Sequence, residues 1–188
     1  SDWRLRYAAR QLSSAISFDE DNTYYLSFLT TVGGQSMVGL LQGLPTSNSD
    51  DGKWALLVGA GYAPKTSIDF GSARIAAWHP SYTLQSSTEF PAAAIWTTSH
   101  LYVAKITTSA TGNDEVKVKL FGPDDVMPVD PDDVSWDLTY QTAITGSATY
   151  LGIQMEWTGQ ADEIRMGYTY ESVTGARAVN TATFNAND

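Results

Sequence analysis

The 188-residue chain is predicted to fold as an all-β sandwich of two antiparallel sheets. Three observations predict it. Apolar residues recur at every second position in one run after another, the runs are separated by turn-forming clusters, and the composition suits strands. Only 17% of residues are charged, and Thr, Ser, Gly, Ala and Tyr fill the difference. A hydrophobic content of 43% with 12% aromatics is enough to fill a core. A chain of this length suits one undivided domain over residues 1–188.

Taken in order, Leu5 to Ile16 is the one stretch that imitates a helix, through Leu5, Ala8, Ala9 and Leu12. Strand or irregular structure is expected there ahead of a helix. Tyr24, Leu26 and Phe28 then alternate with Tyr25, Ser27 and Leu29, as on a half-buried strand. Gly33-Gly34 and the Thr46–Gly52 segment are turn chemistry. Leu101–Thr107 alternates again, and Glu115–Leu120 does so most cleanly, with Val116, Val118 and Leu120 expected inward. Between those two runs Thr111-Gly112-Asn113-Asp114 predicts a hairpin with a short loop. Gly122 to Asp133, with five Asp and three Pro, predicts one long exposed loop. Leu151, Ile153, Met155 and Trp157 share one face of the next run, and Ile164, Met166, Tyr168 and Tyr170 share one face of the last.

Charge and composition exclude several partners. With 21 acidic against 11 basic residues the formal charge is −10 and the pI about 4.4. Such a surface repels phosphate backbones and anionic lipid, which argues against nucleic acid. No apolar stretch approaches the roughly 18 residues that span a bilayer, so membrane insertion is not expected. The absence of cysteine excludes disulfides and thiolate chemistry. A chain that opens Ser1-Asp2-Trp3 without methionine reads as a trimmed segment, with any signal peptide outside it.

Four stretches carry a family resemblance: Asp21–Leu29, Leu101–Ile106, Val118–Asp124 and Ala161–Gly167. With them the chain resembles the laminin-G-like, concanavalin A-like jelly rolls of secreted and surface proteins from planctomycete-type bacteria. The resemblance implies a jelly-roll sandwich of two curved antiparallel sheets, with one face able to hold an extended ligand. It also implies a monomeric module of a larger exported protein, secreted or held at the cell surface. A structural calcium ion often accompanies such sandwiches. By that analogy Asp162 would help to hold it, with Asp19, Glu20 and Asp21 supplying further oxygens. The same residues read equally as a turn cap and a solvated loop. The Asp124, Asp125, Asp130, Asp132 and Asp133 cluster is a second cation candidate, although like charges in a row usually mark a solvated loop.

Fold alone does not give function, because such sandwiches host lectins, lyases, glycosidases and adhesion modules. The Glu-x-Asp-x-Glu strand of glycosidases with this architecture is absent, since none of Glu20, Glu89, Glu115, Glu156, Glu163 and Glu171 has that neighbourhood. Lyases of this shape pair Tyr with His beside Arg and Gln. His79 and His100 are the only histidines, and the strands those enzymes use are not seen. Catalytic zinc and phosphate-loop motifs are missing as well.

Binding remains. Sugar recognition needs flat apolar rings beside hydrogen-bonding side chains, and the chain holds six Trp and ten Tyr. Trp54, Trp78, Tyr82 and Trp96, with Arg74 and His79, lie in turn-rich segments and are the expected ligand face. Trp136 and Trp157 are expected in the core or at its rim. The resulting expectation is a non-catalytic, lectin-like module for a polysaccharide or surface glycan. The alternatives are an adhesion domain with no sugar ligand, or a lyase or glycosidase with atypical residues.

Overall fold

The computed structural model describes residues 6–30, 34–44, 53–60, 73–78, 84–86, 99–157 and 160–176. The strands are β1 Arg6–Ser17, β2 Asn22–Thr30, β3 Gly34–Leu41, β4 Trp54–Ala60, β5 Ala73–Trp78 and β6 Leu84–Ser86. They continue with β7 His100–Thr108, β8 Asp114–Phe121, β9 Leu138–Thr142, β10 Ser147–Trp157 and β11 Ala161–Gly167. A short helix, α1, spans Tyr170–Thr174. Two antiparallel sheets result, in the orders β1-β10-β3-β4-β5-β6 and β11-β2-β7-β8-β9. The protein is thus a two-sheet jelly-roll sandwich, and Leu5–Ile16 is strand where it overlaps β1.

Alternation explains how the sheets close. Tyr24, Leu26 and Phe28 of β2, Tyr102, Ala104 and Ile106 of β7, and Val116, Val118 and Leu120 of β8 all enter the shared core. From the other sheet Val38, Leu40, Leu56 and Val58 meet them. Phe28 lies directly opposite Tyr102 in register, and their rings stack with centroids 4.9 Å apart. The predicted hairpin forms, with β7 and β8 paired from Leu101–Phe121 to Thr107–Glu115. Beside its turn the buried Asp114 carboxylate accepts from the Ser109 and Ile144 backbone N–H groups, at 3.0 and 2.7 Å.

Two expectations are corrected. β10 does not present one dry and one wet face. Leu151 and Ile153 reach the core, but Gly152 and Gln154 on the opposite face are buried as well. The reason is a second apolar layer on the outer face of the six-stranded sheet, made of Met37, Leu41, Trp54 and Leu57 with Tyr150 against it. Nor does the last strand continue through Tyr170. The Thr169 hydroxyl accepts from the Ser172 N–H, the usual N-cap device, and turns the chain into α1. Tyr170 and Val173 then cover Tyr25, Val103 and Phe121 on the outer face of the five-stranded sheet.

The acidic Gly122–Asp133 segment exposes all five of its aspartates. It is nevertheless tied down. Asp125 accepts from the Gly122 N–H at 2.7 Å, and Asp130 caps a single 3₁₀ turn, Pro131–Asp133. Met127 and Trp136 pack at the rim of the cluster around Val134, the rim position expected for Trp136.

Candidate functional site

Trp54 cannot serve as a ligand platform. It is only 4% exposed, packed among Met37, Leu41 and Leu57. Its ring lies over Gly152, where an added Cβ would stand 2.8 Å from the Trp54 Cη2 atom. The irregularity in pairing between Leu40 and Leu41 of β3 sets Trp54 opposite Leu41. It thereby joins the outer layer while its neighbour Ala55 joins the core. Arg74 and Trp78 occupy alternate positions of β5, opposite Gly59 and Leu84 respectively. Their side chains, and His79, Tyr82 and Trp96 entirely, lie outside the described residues, as does the side chain of Trp157.

The four residues expected to share a calcium ion are not brought together. Asp162 pairs with Leu29 at one end of β2, whereas Asp19, Glu20 and Asp21 precede its other end at Asn22. Seven residues of strand separate the two ends, roughly 23 Å. Three of the four carboxylates that would ligate also accept backbone N–H bonds. Asp19 accepts from the Gly146 N–H, Asp21 from the Ala110 N–H at 2.9 Å, and Asp162 from the Glu163 N–H at 2.8 Å. Among the described residues no three His, Asp or Glu side chains converge on a common point.

The site that does emerge lies where the sandwich is open at one side, between the edge strands β1 and β11. Among the described residues each of these strands hydrogen-bonds to a single neighbouring strand. Both leave their ladders midway: β1 between Gln11 and Ile16, β11 between Asp162 and Arg165. In β11 the irregularity centres on Glu163, whose φ of 51° lies in the left-handed region. Such bulges bend an edge strand and re-aim its side chains.

Between the two bent edges run two adjoining hollows. The larger, about 450 Å³, is lined by Arg10, Gln11, Leu12 and Ser13 of β1, Leu151 of β10, and Ile164 and Met166 of β11. The smaller, about 130 Å³, shares Leu12, Ser13 and Met166 and adds Ser14, Ile16, Tyr24, Gly167 and Tyr168. Leu12, Leu151, Ile164 and Met166 form an apolar floor continuous with the core. Arg10, Gln11, Ser13 and Ser14 are exposed and supply polar groups along the β1 wall. Tyr168 stands 66% exposed at the end of the groove, its ring 5.4 Å from that of Tyr24 and tilted by 44°. Burial, with Tyr168 and Glu20 nearby, holds the Tyr24 phenol above its usual pKa, leaving it a neutral hydroxyl.

An apolar floor, an exposed ring and a row of hydroxyl, amide and guanidinium groups together suit a ligand that is itself amphipathic and ring-shaped. A separate hollow, at the end of the five-stranded sheet, is lined by Asp21, Asn22, Thr23, Thr107, Thr108, Ser109 and Asn113. Among the described residues it has no aromatic lining. Sequence reading missed Tyr168 because its parity with Ile164 and Met166 pointed it inward. The signal that could have exposed it is the Thr169–Ser172 capping pair, which starts a helix just after the strand ends at Gly167 and leaves Tyr168 between the two.

No known protein family matches the chain, and no curated protein matches it in sequence. Several solved structures are similar to it. One is a tetrameric galectin from the ball sponge Cinachyrella sp., at 9% identity over 88% of this chain and 100% of that one, with a TM-score of 0.47. Another is CG-16, a homodimeric agglutinin from chicken liver, at 10% identity over 86% and 100%, with a TM-score of 0.48. A third is an alginate lyase from Alteromonas sp. 272, at 8% identity over 87% and 79%, with a TM-score of 0.34. The laminin-G-like family and the planctomycete-type source expected from the sequence are not touched by these likenesses, which concern the sandwich fold and stop there.

Proposed function

We propose that the protein is a non-catalytic carbohydrate-binding module that seats a polysaccharide in the groove between β1 and β11. One observation carries this reading: a largely exposed tyrosine ring stands at the end of an apolar-floored groove walled by Arg10, Gln11, Ser13 and Ser14. The ring and floor would take the C–H faces of sugar rings, and the wall would take their hydroxyls. Among the described residues no His, Asp or Glu lines either hollow of the groove. The reading therefore needs neither a catalytic pair nor a calcium ion there. The module would act outside the cell, as a monomeric unit of a larger exported protein.

Calorimetric titration with a panel of soluble neutral and acidic polysaccharides, with and without chelator, tests the proposal. Tyr168→Ala is expected to weaken binding about tenfold, equivalent to about 1.4 kcal/mol. Tyr168→Trp should preserve binding, because any flat ring serves. Trp78→Ala and Trp96→Ala form the competing arm. Loss in either of those with none in Tyr168→Ala would move the site to the segments around β5 and β6. An intact protein that binds no polysaccharide would leave the adhesion reading in its place. A chelator effect on binding would restore a cation to the ligand site.

A further inference from the structure

Charge divides unevenly over this molecule. The chain holds 21 acidic residues against 11 basic ones, yet among the described residues no carboxylate lines either hollow of the β1–β11 groove, and the larger holds Arg10. Arg10 is exposed and has no ion-pair partner among the described residues, whereas Arg165 of β11, which lines neither hollow, is taken by Glu163 at 2.5 Å. Five of the acidic residues sit in the Gly122–Asp133 segment, which packs on the outer face of the five-stranded sheet, away from the core-facing side that forms the groove floor. In a protein this acidic, a groove whose described lining holds a guanidinium with no described ion-pair partner and no described carboxylate favours an anionic guest.

We infer that the ligand is a uronate-bearing polysaccharide, with a sugar carboxylate held by Arg10 while an adjacent ring lies on Tyr168. The inference rests on the proposed groove. The planar guanidinium can donate two parallel N–H bonds to one carboxylate, a match that a hydroxyl or a lone ammonium does not reproduce. The floor of Leu12, Leu151 and Met166 beside it lowers the local dielectric and strengthens that pairing. Tyr168 discriminates a sugar ring from any other polyanion, because an acidic peptide carries charge without a flat C–H face.

The experiment compares three polymers on the whole chain: a polyuronate, the same polyuronate with its carboxylates methyl-esterified, and polyglutamate. The wild type is expected to bind the polyuronate about tenfold tighter than its ester and to bind polyglutamate weakly or not at all. Arg10→Gln should lose that tenfold preference while still binding the ester, which also reports that the variant is folded. Arg10→Lys should recover part of it, keeping the charge without the fork. Equal affinity for polyuronate and ester, with Tyr168→Ala still weakening both, would overturn this inference and leave the groove as a site for neutral glycans. Polyglutamate bound as tightly as polyuronate would overturn it in favour of general polyanion binding. Failure of all three polymers would remove the inference together with the carbohydrate reading on which it rests.

Discussion

Asp114 couples two parts of the chain through a single carboxylate. It is 1% exposed, and its two oxygens hold the Ser109 N–H in the β7–β8 hairpin and the Ile144 N–H before β10. Burial raises its pKa, the bonds from Ile144 and Ser109 oppose that rise, and Asp19 adds to it. A raised folded-state pKa means that the native protein binds this proton more tightly than the unfolded chain does. The stabilising contribution is therefore complete below the ordinary value near 3.8 and is lost as pH rises through the folded value. Asp114→Asn removes the titration and keeps one acceptor oxygen. In paired unfolding curves the wild type should gain on this variant as pH falls from neutral into that window. The opposite slope would show that the hydrogen bonds outweigh burial. Asp114→Ala leaves both N–H groups unpaired, that of Ile144 buried, and should cost about 1–3 kcal/mol at neutral pH.

At the scale of elements, α1 is the part that sequence periodicity could not find. Its five residues are too few for a 3.6-residue repeat to show, and Tyr168 and Tyr170 keep the parity of the strand before them. The helix is specified instead by its ends, with Thr169 at the N-cap and Gly175 at a φ of 71° after its last turn. It is held by the Ser27 hydroxyl, which donates to the Val173 carbonyl at 2.6 Å across the outer face of β2. Gly175→Ala must place a Cβ in the left-handed region and should cost about 1 kcal/mol. Val173→Ala removes buried methyl groups from the contact with Tyr25 and Val103 and should cost about 2 kcal/mol. Both losses should appear in denaturant midpoints with polysaccharide affinity unchanged. If α1 supported the groove, affinity would fall with stability. By contrast β2, β7 and β8 were legible residue by residue, because each buries one face in the core and period two records that directly. β3, β4 and β10 were less so. They are buried on both faces, and a strand dry on both sides carries no alternation to say which residue faces which layer.

That double burial decides which aromatic residues of the whole molecule are open to a partner. From composition alone Trp54 and Tyr168 are equivalent, each a large ring beside polar neighbours. The fold separates them: Trp54 is sealed in the outer layer of the six-stranded sheet, and Tyr168 stands at the open side of the sandwich. They touch different neighbours, Leu41 and Gly152 in one case and Tyr24 in the other, so their effects should be nearly independent. Trp54→Ala should cost about 3–5 kcal/mol through the cavity it leaves, a large share of the roughly 5–15 kcal/mol that holds a domain folded. Trp54→Phe is the milder version, suited to measuring affinity on folded protein. Tyr168→Ala, mostly in water already, should leave the melting temperature nearly unchanged. The expected pattern is a double dissociation: Trp54→Phe lowers stability and keeps polysaccharide affinity, and Tyr168→Ala does the reverse. The double variant should then show the sum of the two effects on both measurements. A Trp54→Phe protein that melts like the wild type but has lost its ligand would mean that the outer layer opens to admit sugar. The groove at β1 and β11 would then no longer be the site.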